Sequence, residues 1–155
     1  MKRTIDVANV LLQNGASEIL LLQRAQRLKR GYIWGLPGGM IDKGETALQA
    51  ATRELVEETG VKESELSIAS ILRFLVEMPD ENVRITNVRA KLINNATSVD
   101  LDPSEHIAYK WASEADILAS HDLLPCVPTM VAQILNSQAD FVDLTITPGT
   151  RVTPL

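Results

Sequence analysis

The chain has 155 residues and a mass of 17.0 kDa, one domain's worth of sequence and enough to bury a real core without staples. With 45% hydrophobic and 23% charged residues it falls outside the disordered and fibrous classes, and a net charge of −5 argues against a general nucleic-acid-binding surface. A single cysteine, Cys126, makes no internal disulfide and points to a reducing compartment. The N-terminal run has no signal-peptide pattern, and no stretch approaches the roughly 18 apolar residues that would span a bilayer. A cytoplasmic protein with no membrane or nucleic-acid partner is expected.

In chain order, residues 4–13 are rich in Ile, Val and Leu and predict a mostly buried strand. Asn14-Gly15-Ala16-Ser17 is a turn signal, and Glu18 to Gln23 predicts a second strand of a hairpin. Residues 24–32 form a polar, basic connection, and the glycines and proline of Trp34 to Met40 forbid a regular helix. From Thr46 to Thr59 the pattern is helical, with Thr46 as N-cap and Gly60 as the stop. Leu66 to Glu77 and Val83 to Ile93 predict two strands around a turn at 78–82. Asn94 to Ser104 reads as a loop, His106 to Trp111 as a short strand, and Ser113 opens a short helix. Pro125 to Leu135 predicts a final helix with Val127, Met130, Val131, Ile134 and Leu135 on or near one face. The tail from Ala139 is expected to be an irregular extension rather than a strand pairing with a second copy, and a homodimer is left open.

Within the predicted helix, Glu54, Glu57 and Glu58 stand at i, i+3 and i+4 and share an arc of roughly 100°. Leu48, Ala51 and Leu55 form the adjoining apolar stripe, while Ala47 and Ala50 are expected on the glutamate side, leaving room above the acids. Taken alone, three such glutamates are more often a solvated acidic face than a site. Oxygen-only ligands clustered this way also suit a hard divalent cation, Mg²⁺ or Mn²⁺. The wider spacing decides between the two readings. Gly39, Glu45, Arg53, Glu54, Leu55, Glu57, Glu58, Gly60 and Val61 form a pattern whose Gly, Glu and Arg positions would coincide by chance in on the order of 10⁻⁸ to 10⁻⁹ of random starts.

That pattern resembles the signature of the Nudix hydrolases, with every defining position filled. The approach Trp34-Gly-Leu-Pro-Gly-Gly39 and the Glu105-His106-x-x-Tyr109-x-Trp111 run are similar to small bacterial members. The resemblance covers residues 3–137, with the box at 39–61 and a C-terminal extension at 138–155. It implies an α/β fold, a three-layer α/β/α sandwich with a mixed sheet. It also implies hydrolysis of a nucleoside diphosphate linked to another moiety, using Mg²⁺ or Mn²⁺. By carry-over, Glu54, Glu57 and Glu58 resemble the family's metal-binding glutamates, the Gly39 carbonyl is a further candidate ligand, and Glu54 is a candidate base. Arg53 is expected to pair with Glu45 or Glu57 and orient the loop onto the helix. Glu105 is the candidate fourth carboxylate, with Glu77, Asp80 and Glu81 as rivals.

Electrostatics supports the need for metal independently. The box holds five acids and two bases, so a polyphosphate would be repelled unless cations stood between them. Just upstream, Arg24, Arg27, Lys29 and Arg30 put four positive charges into seven residues. This loop is either solvated or a clamp for the phosphate tail, and Arg24, Arg27 and Arg30 are the candidate substrate contacts. His106 and His121 lack a ligand partner nearby in sequence and read as satisfied or exposed histidines. Cys126 reads as a buried small hydrophobe, Trp34 and Trp111 as core or rim residues, and Phe74 and Tyr32 likewise.

The box does not identify the substrate. Some ADP-ribose-cleaving members carry a proline downstream of it; the matching position here is Glu77, and Pro79 falls beyond it. The compact chain leans toward a nucleoside triphosphate, oxidised ones included, giving the monophosphate and pyrophosphate. ADP-ribose, nucleotide sugars and dinucleoside polyphosphates stay open. A catalytically inactive nucleotide-binding sensor is the reading from another class, but it should have lost carboxylates that are all present here.

Overall fold

A computed structural model describes residues 1–28, 31–124 and 126–137, and the backbone of 143–146. The strands are β1 (Arg3–Gln13), β2 (Ile19–Arg24), β3 (Trp34–Gly35), β4 (Gly38–Met40), β5 (Leu66–Glu77), β6 (Glu81–Leu92), β7 (His106–Ala112) and β8 (Asp143–Ile146). The helices are α1 (Ala47–Thr59), α2 (Glu114–Ala119) and α3 (Val127–Asn136). One mixed sheet runs β3-β2-β1-β6-β5-β8, with β4 paired to β1 and β7 to β2. β1 pairs parallel with β6 along its whole length, and β5 with β6 antiparallel.

Two cores lie on opposite faces of this sheet. Leu11, Ile19, Leu21, Leu72, Phe74 and Ile85 pack with Ile117 of α2 and with Val127, Met130, Val131 and Ile134 of α3. Val10, Leu12, Leu20, Leu22, Val88 and Ala90 pack with Ala50, Ala51 and Leu55 of α1. The alternation of β1 and β2 divides their side chains between the two faces, which makes the three layers expected from sequence. Among the described residues, no helix is long and apolar enough to cross a membrane.

Three expectations need correction. The tail contains a strand, for Asp143–Ile146 pairs parallel with Arg73–Val76 at the edge of the sheet. Parallel pairing across a long crossover leaves no local signature in sequence. Ala50 faces the core instead of opening space above the glutamates. Cys126 is half-buried just before α3 rather than fully buried.

Candidate active site

Helix α1 begins and ends where its residues dictate. The Thr46 hydroxyl accepts from the Gln49 amide, the Gln49 side chain accepts from the Thr46 amide, and Gly60 closes the helix in the left-handed conformation at φ 74°. Its apolar face fixes the depth of each acid. Ala50, Ala51 and Leu55 are fully buried, so Glu58, which follows Leu55 on that face, is carried inward and is only 4% exposed. The Glu54 side chain is 15% exposed and that of Glu57 58%. Three glutamates that look equivalent in sequence therefore occupy three environments.

Burial is also what shifts the carboxyls of Glu58 and Glu54. It raises the Glu58 carboxyl to about 8, reinforced by the negative charges of Glu54 and Glu105 and opposed by a Gly38 N–H bond of 3.0 Å and by Arg24. The Glu54 carboxyl is raised as well, chiefly by burial, against the pull of Arg53. Its carboxylate lies so close to Gly39 that a Cβ there would collide with it. Glycine at that position is a requirement of packing, and it brings the β4 backbone against the acid.

Arg53 organises the loop that precedes the helix. Its guanidinium makes a forked pair with Glu45, at 2.6 and 3.0 Å, and reaches Glu54 at 3.0 Å, Glu57 at 3.4 Å and the Met40 carbonyl at 3.2 Å. Asp42 adds an ion pair at 3.5 Å. The two partners expected from sequence, Glu45 and Glu57, are thus both engaged, together with Glu54 and Asp42. The Arg53 bond holds the Glu45 carboxyl below its ordinary range. That contribution is complete above the ordinary carboxylate pKa and is lost as pH falls through the lowered value. Lysine would keep the charge and lose the fork. Arg53→Lys should therefore lower kcat about tenfold or more and weaken Mn²⁺ binding, as kinetics and a calorimetric titration would read.

Glu105, the candidate fourth carboxylate, arrives from another direction. The Asp100 N–H donates to the Thr59 carbonyl at the end of α1, and the Ala25 N–H donates to the Glu105 carbonyl at 2.8 Å. These two ties hold the loop before β7 across the end of the helix and the end of β2. Across the β2–β7 ladder Gln23 faces Ala108 and Arg24 faces His106, leaving Ile107 as a bulge. Leu20 and Leu22 belong to the α1-side core, and Arg24 and His106 continue that row. As a result one carboxylate oxygen of Glu58, one of Glu105 and a ring nitrogen of His106 all lie within 4.8 Å of one another.

The sequence-predicted residues therefore separate. Glu54, Glu57 and Glu58 share α1 with Arg53, Glu45 is clamped to it, and Glu105 is brought to Glu58. Glu77 ends β5, Asp80 lies in the β5–β6 turn and Glu81 opens β6; none of these rivals joins the cluster. Arg24 stands beside the acids, whereas Arg27 donates to the Ser104 carbonyl on the loop before β7. Lys29 and Arg30 lie outside the described residues. His106 corrects the reading of a satisfied or exposed histidine: it is 6% exposed, its Nδ1 has no partner, and burial lowers its pKa. Its partner acid is distant along the chain, so only the Glu105–His106 adjacency hinted at its place.

Comparison with known proteins identifies the family. The NUDIX domain family model matches residues 2–132. The chain is 31% identical over 83 residues to the 8-oxo-dGTP diphosphatase of Escherichia coli (strain K12), covering 54% of this chain and 63% of that protein. It is 29% identical over 116 residues to the asymmetrical bis(5′-nucleosyl)-tetraphosphatase of Mus musculus, covering 64% and 67%. A solved binary complex of the C. elegans Ap4A hydrolase superposes with a TM-score of 0.71 at 26% identity, covering 84% of this chain and 95% of that one. Matches to the first curated relatives span from 33% to 63% of their own length. With the family model matching most of its length and the glutamate helix in place, this chain belongs to the NUDIX domain family.

Proposed function

We propose that the chain is a divalent-metal-dependent pyrophosphohydrolase that cleaves a phosphoanhydride bond of a nucleoside triphosphate, oxidised forms included, to the monophosphate and pyrophosphate. The observation that carries the reading is the convergence of Glu54, Glu57 and Glu58 on one helix with Glu105 brought to Glu58 from a separate loop. The donor set suits the cation. Every one of these carboxylates is a hard oxygen ligand, and Glu58 is a nearly buried acid that accepts a hydrogen bond from the Gly38 amide. Glu54, Glu57, Glu58 and Glu105 would hold it, with the Gly39 carbonyl beside Glu54 as a further oxygen. When bound, such a cation supplies charge compensation for the phosphates and Lewis acidity.

The chain's own residues do the rest. Glu54, close against the β4 backbone, serves as the base that accepts the proton of the attacking water. Arg53 keeps Glu45, Glu54 and Glu57 in register, and its role is orientation. Arg24 brings a positive charge to the edge of the acidic cluster, where a phosphate tail would enter.

The test is a panel of nucleoside triphosphates, 8-oxo-dGTP, ADP-ribose, nucleotide sugars and dinucleoside polyphosphates with Mg²⁺ or Mn²⁺, with products identified after reaction in ¹⁸O-water. The expected result is pyrophosphate release from triphosphates; turnover confined to another member of the panel moves the assignment there. Binding without turnover of any of them would make the chain a nucleotide sensor. Turnover should also rise toward alkaline pH, because the attacking water must lose a proton. A flat profile from about pH 6 to 9 would place the slow step in release.

A further inference from the structure

We propose that His106 is a direct nitrogen ligand of the cation bound by Glu58 and Glu105, giving a mixed oxygen–nitrogen centre that favours Mn²⁺ or Co²⁺ over Mg²⁺. The inference rests on the metal-dependent reading above and adds a ligand from outside the box. A cation with bonds of about 2.1–2.3 Å holds its ligands about 3–4.5 Å from one another. The ring nitrogen and the two carboxylate oxygens, all within 4.8 Å, fall close to that spacing without rearrangement of the backbone.

A second observation singles out the histidine. His106 is 6% exposed, and its Nδ1 is buried with no hydrogen-bond partner. A ring nitrogen left unpaired in the interior is costly unless a ligand or cation satisfies it. The bulge at Ile107 is what turns His106 onto the α1 side of the sheet, opposite Arg24 and beside Glu58. A regular ladder would have placed the neighbouring residue there instead. Imidazole is a poor match for Mg²⁺, which prefers oxygen and water, and a better one for borderline transition ions.

The experiment is electron spin-echo modulation on the full chain loaded with Mn²⁺. Nitrogen modulation from a coordinated imidazole is expected, changing to ¹⁵N frequencies when histidine is ¹⁵N-labelled. The chain has two histidines, so the signal should survive His121→Gln and vanish in His106→Gln. The Kd of His106→Gln for Mn²⁺ should rise about tenfold or more, with a smaller change for Mg²⁺. If His106→Gln does not fold, labelling and His121→Gln still decide the matter. Bound Mn²⁺ without histidine modulation, or modulation that persists in His106→Gln, overturns the proposal and leaves the hydrolase reading standing. Failure of Mn²⁺ to bind at all overturns both.

Discussion

Replacing Glu57 with glutamine should lower kcat by at least about two orders of magnitude while leaving the thermal melt nearly unchanged. The two halves of this expectation come from different features of the residue. The Glu57 side chain is 58% exposed and meets the Arg53 guanidinium at 3.4 Å, so the native state loses little when the charge is removed. Glutamine keeps the shape and one oxygen, but not the negative charge that a cation between protein and polyphosphate requires. Pyrophosphate release at saturating Mn²⁺, with a melting curve on the same preparation, checks both halves. Near-normal turnover would remove Glu57 from the site, and a collapsed melt would show that its role is structural.

The contrast between Glu57 and its neighbours shows how far the sequence could be read. The limits of α1 were legible because Thr46 and Gly60 are local devices whose effect needs no tertiary context. Glu45 and Arg53 were legible as partners through the family resemblance. The different depths of Glu54, Glu57 and Glu58 were not. Helical spacing sets their angle around the axis, but what covers that angle depends on how α1 docks on β1, β2 and β6, which also buried Ala50. His106 was hidden for a similar reason, since the bulge at Ile107 and the loop tie from Asp100 to Thr59 decide which face it occupies. Strand β8 was missed because a short parallel pairing with β5 is set by contacts far apart in the chain.

Glu58→Gln should make the metal-free protein more stable at pH 8, by on the order of a few kcal/mol, even as it weakens cation binding. The sign follows from burial. The Glu58 carboxyl sits at about 8 in the folded chain against an ordinary value of 4.5, so the native state holds this proton more tightly than the unfolded chain does. Its contribution is full below the ordinary value and is lost as pH rises from there toward 8, where folding leaves a charge nearly without water. Glutamine removes that penalty and keeps an oxygen for the Gly38 amide. His106, next to it, titrates in the opposite sense, because a buried neutral ring loses stability as pH falls. The informative quantity is therefore the difference between variant and parent, followed by denaturant unfolding with chelator from about pH 5 to 8. That difference should grow in favour of the variant across the range, and Mn²⁺ should shrink or reverse it by stabilising the parent, which binds the ion more tightly, more than the variant. Parallel curves at every pH would mean that Glu58 is solvated in the metal-free protein, and the buried acid at the centre of this site would have to be abandoned.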